Sequence, residues 1–135
     1  MTTRPASLRE AATQVEQKAI SPVELTRACL DRIAAKNETL RAFITVMGEQ
    51  ALADAARAEK EIAKNRYRGP LHGIPVSVKD LVDIAGTPTT SGSAVPPRRP
   101  QHDATIISRL RAAGAIIVGK TNLHEFAYGV TSQNL

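Results

Sequence analysis

Two short runs rich in Val and Ile, Val76 to Ile84 and Ala115 to Val118, lie on either side of a stretch with helical spacing. That order narrows the fold more than any other feature of the chain. The second run is uniformly apolar, as expected of a strand buried on both faces in a parallel sheet. Between the runs, Asp103 is placed to cap a helix through Ala113, and Gly114 is placed to stop it. Strand, helix and strand in this order predict a layered α/β fold.

The first half reads as α-α-β-α. Ser7 can cap a helix running to about Lys18, with Glu10 at the capping-box position. Ser21-Pro22 opens a second helix, Glu24 completing its box, with Leu25, Cys29, Leu30, Ile33 and Ala34 on its apolar face. Ala42 to Val46 reads as a short strand. Glu49 to about Asn65 is again helical, with Leu52, Ala55 and Ile62 on one side. The texture changes at Gly69, where Gly, Pro, Thr and Ser accumulate around the strand bounded by Pro75 and Gly86. Thr87 to Ser93 reads as a loop and Val95 to Pro100 as stiff and extended. Asn122 can cap a last short helix, with Glu125 closing its box. A chain of 135 residues is expected to form one domain.

Composition excludes several classes. The net charge of +5 invites a nucleic-acid reading, but residues 1–68 carry 12 basic and 9 acidic groups and residues 69–135 carry 6 and 4. Charge spread this evenly is a solvated surface, so no nucleic-acid partner is expected. Four aromatic residues are too few for a base-stacking surface. Cys29 is the single cysteine and reads as a small apolar residue on a helix face, with no internal disulfide possible. The N-terminus shows no signal-peptide core, and the longest apolar stretch is too short for a bilayer. No membrane partner is expected, and the cytoplasm is the default location.

Two motifs imitate other chemistries. Gly114-Ala-Ile-Ile-Val-Gly119-Lys120-Thr121 satisfies the pattern of a phosphate-binding P-loop. Such a cradle follows a strand and precedes a long helix, whereas here a helix precedes Gly114 and the intervening residues favour a strand. Backbone N–H groups committed to a sheet cannot point at phosphates. His124-Glu125-Phe-Ala-Tyr128 lacks the second histidine of a zinc protease helix. His72, His102 and His124 are therefore read as surface or loop residues, and neither a metal nor a cofactor is expected.

The remaining oddity is Lys79, an ammonium in the middle of an apolar strand. Residues two apart on a strand share a face, so Lys79 points with Ser77 and Leu81, while Asp80 points with Val78 and Val82. Asp80 is thus not its natural ion-pair partner. A lysine made neutral by burial can take a proton from a serine, an alternative to the histidine of serine hydrolases.

The strings GPLHGIPVSVKD, TPTTSGS and DATIISRLRAAGAIIVGKTNLHEFAYG, in this order, resemble the opening part of the amidase signature family. The likeness runs from about residue 65 to the end, and the leader is similar as well. The resemblance implies an α/β fold with a mixed central sheet flanked by helices, and hydrolysis of carboxamides through a Ser–Ser–Lys triad. Lys79 falls on the family's catalytic base. The two serines belong to Gly-Gly-Ser-Ser-Gly-Gly and Thr-Gly-Gly-Ser segments, and neither run occurs here. Ser77 is too far from Lys79 for direct proton transfer; Ser91, Ser93 and Ser132 are read as structural or loop serines. Ser91 and Ser93 fall in a loop that the family places near its active site. The expected organisation is a single incomplete amidase domain, with a helical leader at 1–65 and the start of the catalytic core at 66–135. The implied substrate is a small-molecule amide. The chain alone is expected to be inactive and to self-associate through exposed sheet edges. The alternatives are the amidase-like subunit of a tRNA-dependent amidotransferase and a non-catalytic interaction module.

Overall fold

The computed structural model describes residue 5 and residues 7–131. The leader follows its local signals. The Ser7 hydroxyl accepts the Glu10 N–H at 3.1 Å and starts α1, Leu8–Glu16. Ser21 starts α2, Pro22–Leu40, with both arms of a capping box in place. Its hydroxyl accepts the Glu24 N–H at 3.0 Å, and the Glu24 carboxylate accepts the Ser21 N–H at 2.9 Å. Pro22 costs nothing at that position, because the first amides of a helix have no intrahelical partner. β1, Phe43–Val46, and α3, Gly48–Ala63, follow. α3 buries Ala51, Ala55, Ala58 and Ile62. Small side chains on that face allow close approach to the sheet.

β2 spans Pro75–Lys79, α4 Thr105–Ala112 and β3 Ile116–Thr121. The strands lie in the order β1-β3-β2, with β3 parallel to β2 and antiparallel to β1. The sheet is therefore mixed, as the resemblance implied. Alternation along β3 divides the core. Ile116 and Val118 pack with Ala51 and Ala55 of α3, and with Leu30 and Ile33 of α2. Ile117, facing the other way, packs with Val78, Ile84 and Ile107 of α4. Helices thus cover both faces of β3. α1 is held by a separate cluster of Ala11, Ala12, Val15, Leu25, Ile62 and Ile74.

Several expectations need correction. The strand expected to continue to Ile84 ends at Lys79, where Val82 N–H turns back onto the Lys79 carbonyl at 3.0 Å. Asp103 does not cap α4: Ala104 holds that position. The Asp103 carboxylate instead accepts the Ala85 N–H at 2.9 Å and pairs with Arg111 at 2.5 Å. No α-helix follows Asn122 among the described residues. A single short turn, Glu125–Ala127, has Phe126 and Ala127 at φ of 51° and 60°. The side-chain oxygen of Asn122 accepts the adjacent Leu123 N–H, and its amide donates to the Arg41 carbonyl at 3.0 Å. Among the described residues, no helix is long and apolar enough to cross a membrane.

Candidate active site at the carboxyl ends of the parallel strands

In open α/β sheets, ligands gather outside the carboxyl ends of parallel strands. Lys79 is the last residue of β2 and pairs in register with Thr121, the last residue of β3. Its placement corrects the expectation of a charge within a buried strand: Lys79 is exposed and terminal. The expected alternation is present, with Ser77 and Lys79 exposed and Val78 and Asp80 buried. Among the described residues, Lys79 makes no ion pair.

The buried lysine is Lys120. Its side chain is 0% exposed and faces Asp80, also 0% exposed, with Nζ 2.6 Å from Oδ1. Lys120 Nζ also donates to Thr89 Oγ1 at 2.7 Å and to the Pro88 carbonyl at 2.9 Å. The ammonium is thus ringed by three oxygens. Asp80 Oδ1 is held by this charge contact, whereas Oδ2 accepts from Thr90 N–H at 3.0 Å and Thr90 Oγ1 at 2.5 Å. Sequence reading missed this pair, because Lys120 was absorbed in the P-loop lookalike. An aspartate on the buried face of a strand, with no local partner, was the available signal.

The lookalike itself is a product of packing. Its first glycine, Gly114, has φ +82°, and a Cβ there would lie 2.4 Å from the His72 ring. A Cβ on its second glycine, Gly119, would lie 2.3 Å from the Thr45 carbonyl oxygen on β1. Lys120 belongs to the buried pair, and Thr121 Oγ1 donates to the Val78 carbonyl at 3.3 Å. Strand residues occupy the would-be loop, as the sequence predicted.

Around the strand ends, Ser91 N–H donates to the Asp80 carbonyl and Phe126 N–H to the Ser91 carbonyl. Ser93 Oγ donates to Glu125 at 2.5 Å. Ser91 is buried with φ +57°, Ser93 half-buried and Ser77 exposed; Ser132 lies outside the described residues. A cleft of about 480 Å³ opens beside this loop, walled by Thr90, Gly92, Ser93, Arg41 and Ile44.

The histidines separate. His102 is exposed and His124 half-buried; His72, read as a surface or loop residue, lies in the loop before β2 but is only 1% exposed. Its Nδ1 accepts the Arg68 N–H at 3.1 Å, so the neutral ring carries its proton on Nε2, 3.2 Å from the Glu61 carboxylate. Burial, then the Arg68 charge, holds its pKa below the ordinary 6.5 against the opposing pull of Glu61. Desolvation raises the pKa of Glu61, but hydrogen bonding and charge from Arg68, with His72 adding to both, bring the net shift below 4.5.

Comparison with known proteins fits this geometry. A family model described as Amidase matches residues 24–135. An amidase of Pseudomonas putida is 42% identical over 123 residues, covering 91% of this chain and 26% of its own length. A glutamyl-tRNA(Gln) amidotransferase subunit of Anaeromyxobacter dehalogenans is 47% identical over 128 residues, 94% of this chain and 26% of its own. The crystal structure of the peptide amidase of Stenotrophomonas maltophilia superposes with a TM-score of 0.84 at 38% identity, over 91% of this chain and 26% of that one. The chain thus spans about a quarter of the length of the relatives it matches. With matching motifs, fold and family model, the chain belongs to the amidase signature family.

Proposed function

We propose that this chain is the base-bearing first portion of an amide-bond hydrolase of the Ser–Ser–Lys type, with Lys79 as the general base. The observation that carries the reading is the position of Lys79: exposed, terminal on β2 and on the opposite face from the sealed Asp80. An amine in that position is available to a hydroxyl brought by another segment. In the complete reaction Lys79 would take a proton through one serine from a second, whose oxygen attacks the amide carbonyl. The amine leaves, an acyl-enzyme forms, and water releases the carboxylate. The substrate class is a small-molecule carboxamide.

The test is a chimera in which this chain replaces the matching first quarter of the Pseudomonas putida amidase. The expected chimera releases ammonia from simple carboxamides. Lys79→Ala should then lower kcat/KM by a factor on the order of a thousand or more, since the base acts in both halves of the reaction. A folded chimera indifferent to Lys79→Ala would overturn the assignment.

A second reading has its own support in the 47% identity to a glutamyl-tRNA(Gln) amidotransferase subunit. In that role the same lysine would serve a chain working within a complex. Amide hydrolysis by the chimera without further subunits favours the hydrolase.

A further inference from the structure

The Asp80–Lys120 pair is the most deeply buried charge in the described chain, and the proposed chemistry does not use it. Exchanging such a pair for apolar side chains of similar volume is often neutral or stabilising, so stability alone does not account for it. Its bonds do something else. Lys120 joins the end of β3 to the Pro88 carbonyl and to Thr89, while Asp80 joins the end of β2 to Thr90. Thr89 is 2% exposed and Ser91 6% exposed, so the loop segment lies sealed against the strand ends. Ser91 N–H and Phe126 N–H extend the connection, through main-chain bonds, to the turn that carries Glu125.

Burial makes the loop's position discrete. An ammonium ringed by three oxygens, two of them from the loop, cannot shift without leaving a buried charge unpaired. We propose that Asp80 and Lys120 are a positioning pair for the site to which Lys79 belongs. They fix the Thr87–Ser93 loop across the carboxyl ends of β2 and β3, and Asp80 is the residue that follows the base. The functional half of this inference rests on the reading of Lys79; the structural half stands without it.

The experiment compares Lys120→Met with the double replacement Asp80→Leu/Lys120→Met in the 135-residue chain. Thermal melting and amide hydrogen exchange are both read. The single variant leaves a lone buried carboxylate and should melt far below the parent. The double variant should regain most of the parent's melting temperature, while the Ser91 and Phe126 amides exchange at least tenfold faster than in the parent. Their acceptors are main-chain carbonyls that neither substitution removes, so faster exchange reports loop release. Amides of Ile116 and Val118 should stay protected.

Parent-like protection at Ser91 and Phe126 in a folded double variant would overturn the proposal, leaving a pair that serves stability alone. A double variant that does not fold would also overturn it, by making the pair a condition of the fold. Lys120→Arg provides a folded control that keeps the charge but not the compact three-donor geometry, and it should also speed Ser91 exchange. None of these measurements involves amide turnover, so they stand or fall separately from the Lys79 assignment.

Discussion

Lys79 ends β2 and Lys120 is the penultimate residue of the parallel strand β3, and burial divides them: Lys120 is sealed against Asp80 and Lys79 faces outward. The two lysines should therefore respond differently to truncation. Lys79→Ala is expected to change unfolding free energy by less than about 0.5 kcal/mol, as for a surface residue outside any ion pair. Lys120→Ala should cost on the order of 3–5 kcal/mol, because it strands a buried carboxylate. Urea denaturation of the two variants checks this, and equal losses would refute it.

His72 gives the fold a dependence on pH. Its folded pKa lies below the ordinary 6.5, so on acidification the unfolded chain takes up a proton that the native ring refuses. Stability should be fully present above about 6.5 and fall as pH drops towards the folded value. Protonation also puts a hydrogen on Nδ1, where Arg68 N–H already donates. Melting temperatures taken from pH 7 to about 5.5 should decline for the parent and lie flatter for His72→Gln. A parent curve without slope in that range would contradict the assignment.

Gly114 lies against the same ring. Gly114→Ala adds a Cβ 2.4 Å from His72 Cδ2 at a φ of +82°. The combined strain and overlap should cost about 1–3 kcal/mol. In a double-mutant cycle with His72→Ala, part of the loss should disappear, because the overlap goes and the backbone strain stays. Strict additivity would show that the ring is not what the methyl meets.

β1 and β2 each have one edge unpaired among the described residues. Open edges are templates for pairing with another chain, so the isolated chain is expected to associate with itself as concentration rises. Ser77 is exposed on β2, and Ser77→Lys should weaken the association. Sedimentation velocity decides; a parent that stays monomeric throughout would dismiss the idea.

The helix starts at Ser7 and Ser21 were legible in the sequence, because a cap and its partner lie three residues apart. So was the α/β layering, through the apolar run Ala115 to Val118 and the Gly114 stop, whereas the mixed sheet came from the family resemblance. What stayed concealed depended on distant partners. Lys120 is buried because Asp80, at the end of another strand, meets it there. Asp103 is drawn from its expected cap by Ala85 and Arg111. Glu125 is held by Ser93, and the expected helix after Asn122 gives way to a left-handed turn. The exposure of Lys79 was hidden for a related reason. Apolar residues continue to Ile84, but past the strand end Val82 and Ile84 fill the core beside α4 while Leu81 is exposed.

Gly119 pairs with Val46 of β1, and a Cβ there would meet the backbone of Thr45 and Val46. Its neighbour supplies the buried ammonium, and Gly114 yields space to a histidine. Three fixed letters of the phosphate-loop string, Gly114, Gly119 and Lys120, are thus held by steric or charge constraints that have nothing to do with nucleotides. In this chain a nucleotide-binding pattern match is a readout of β-sheet sterics and of one buried ammonium.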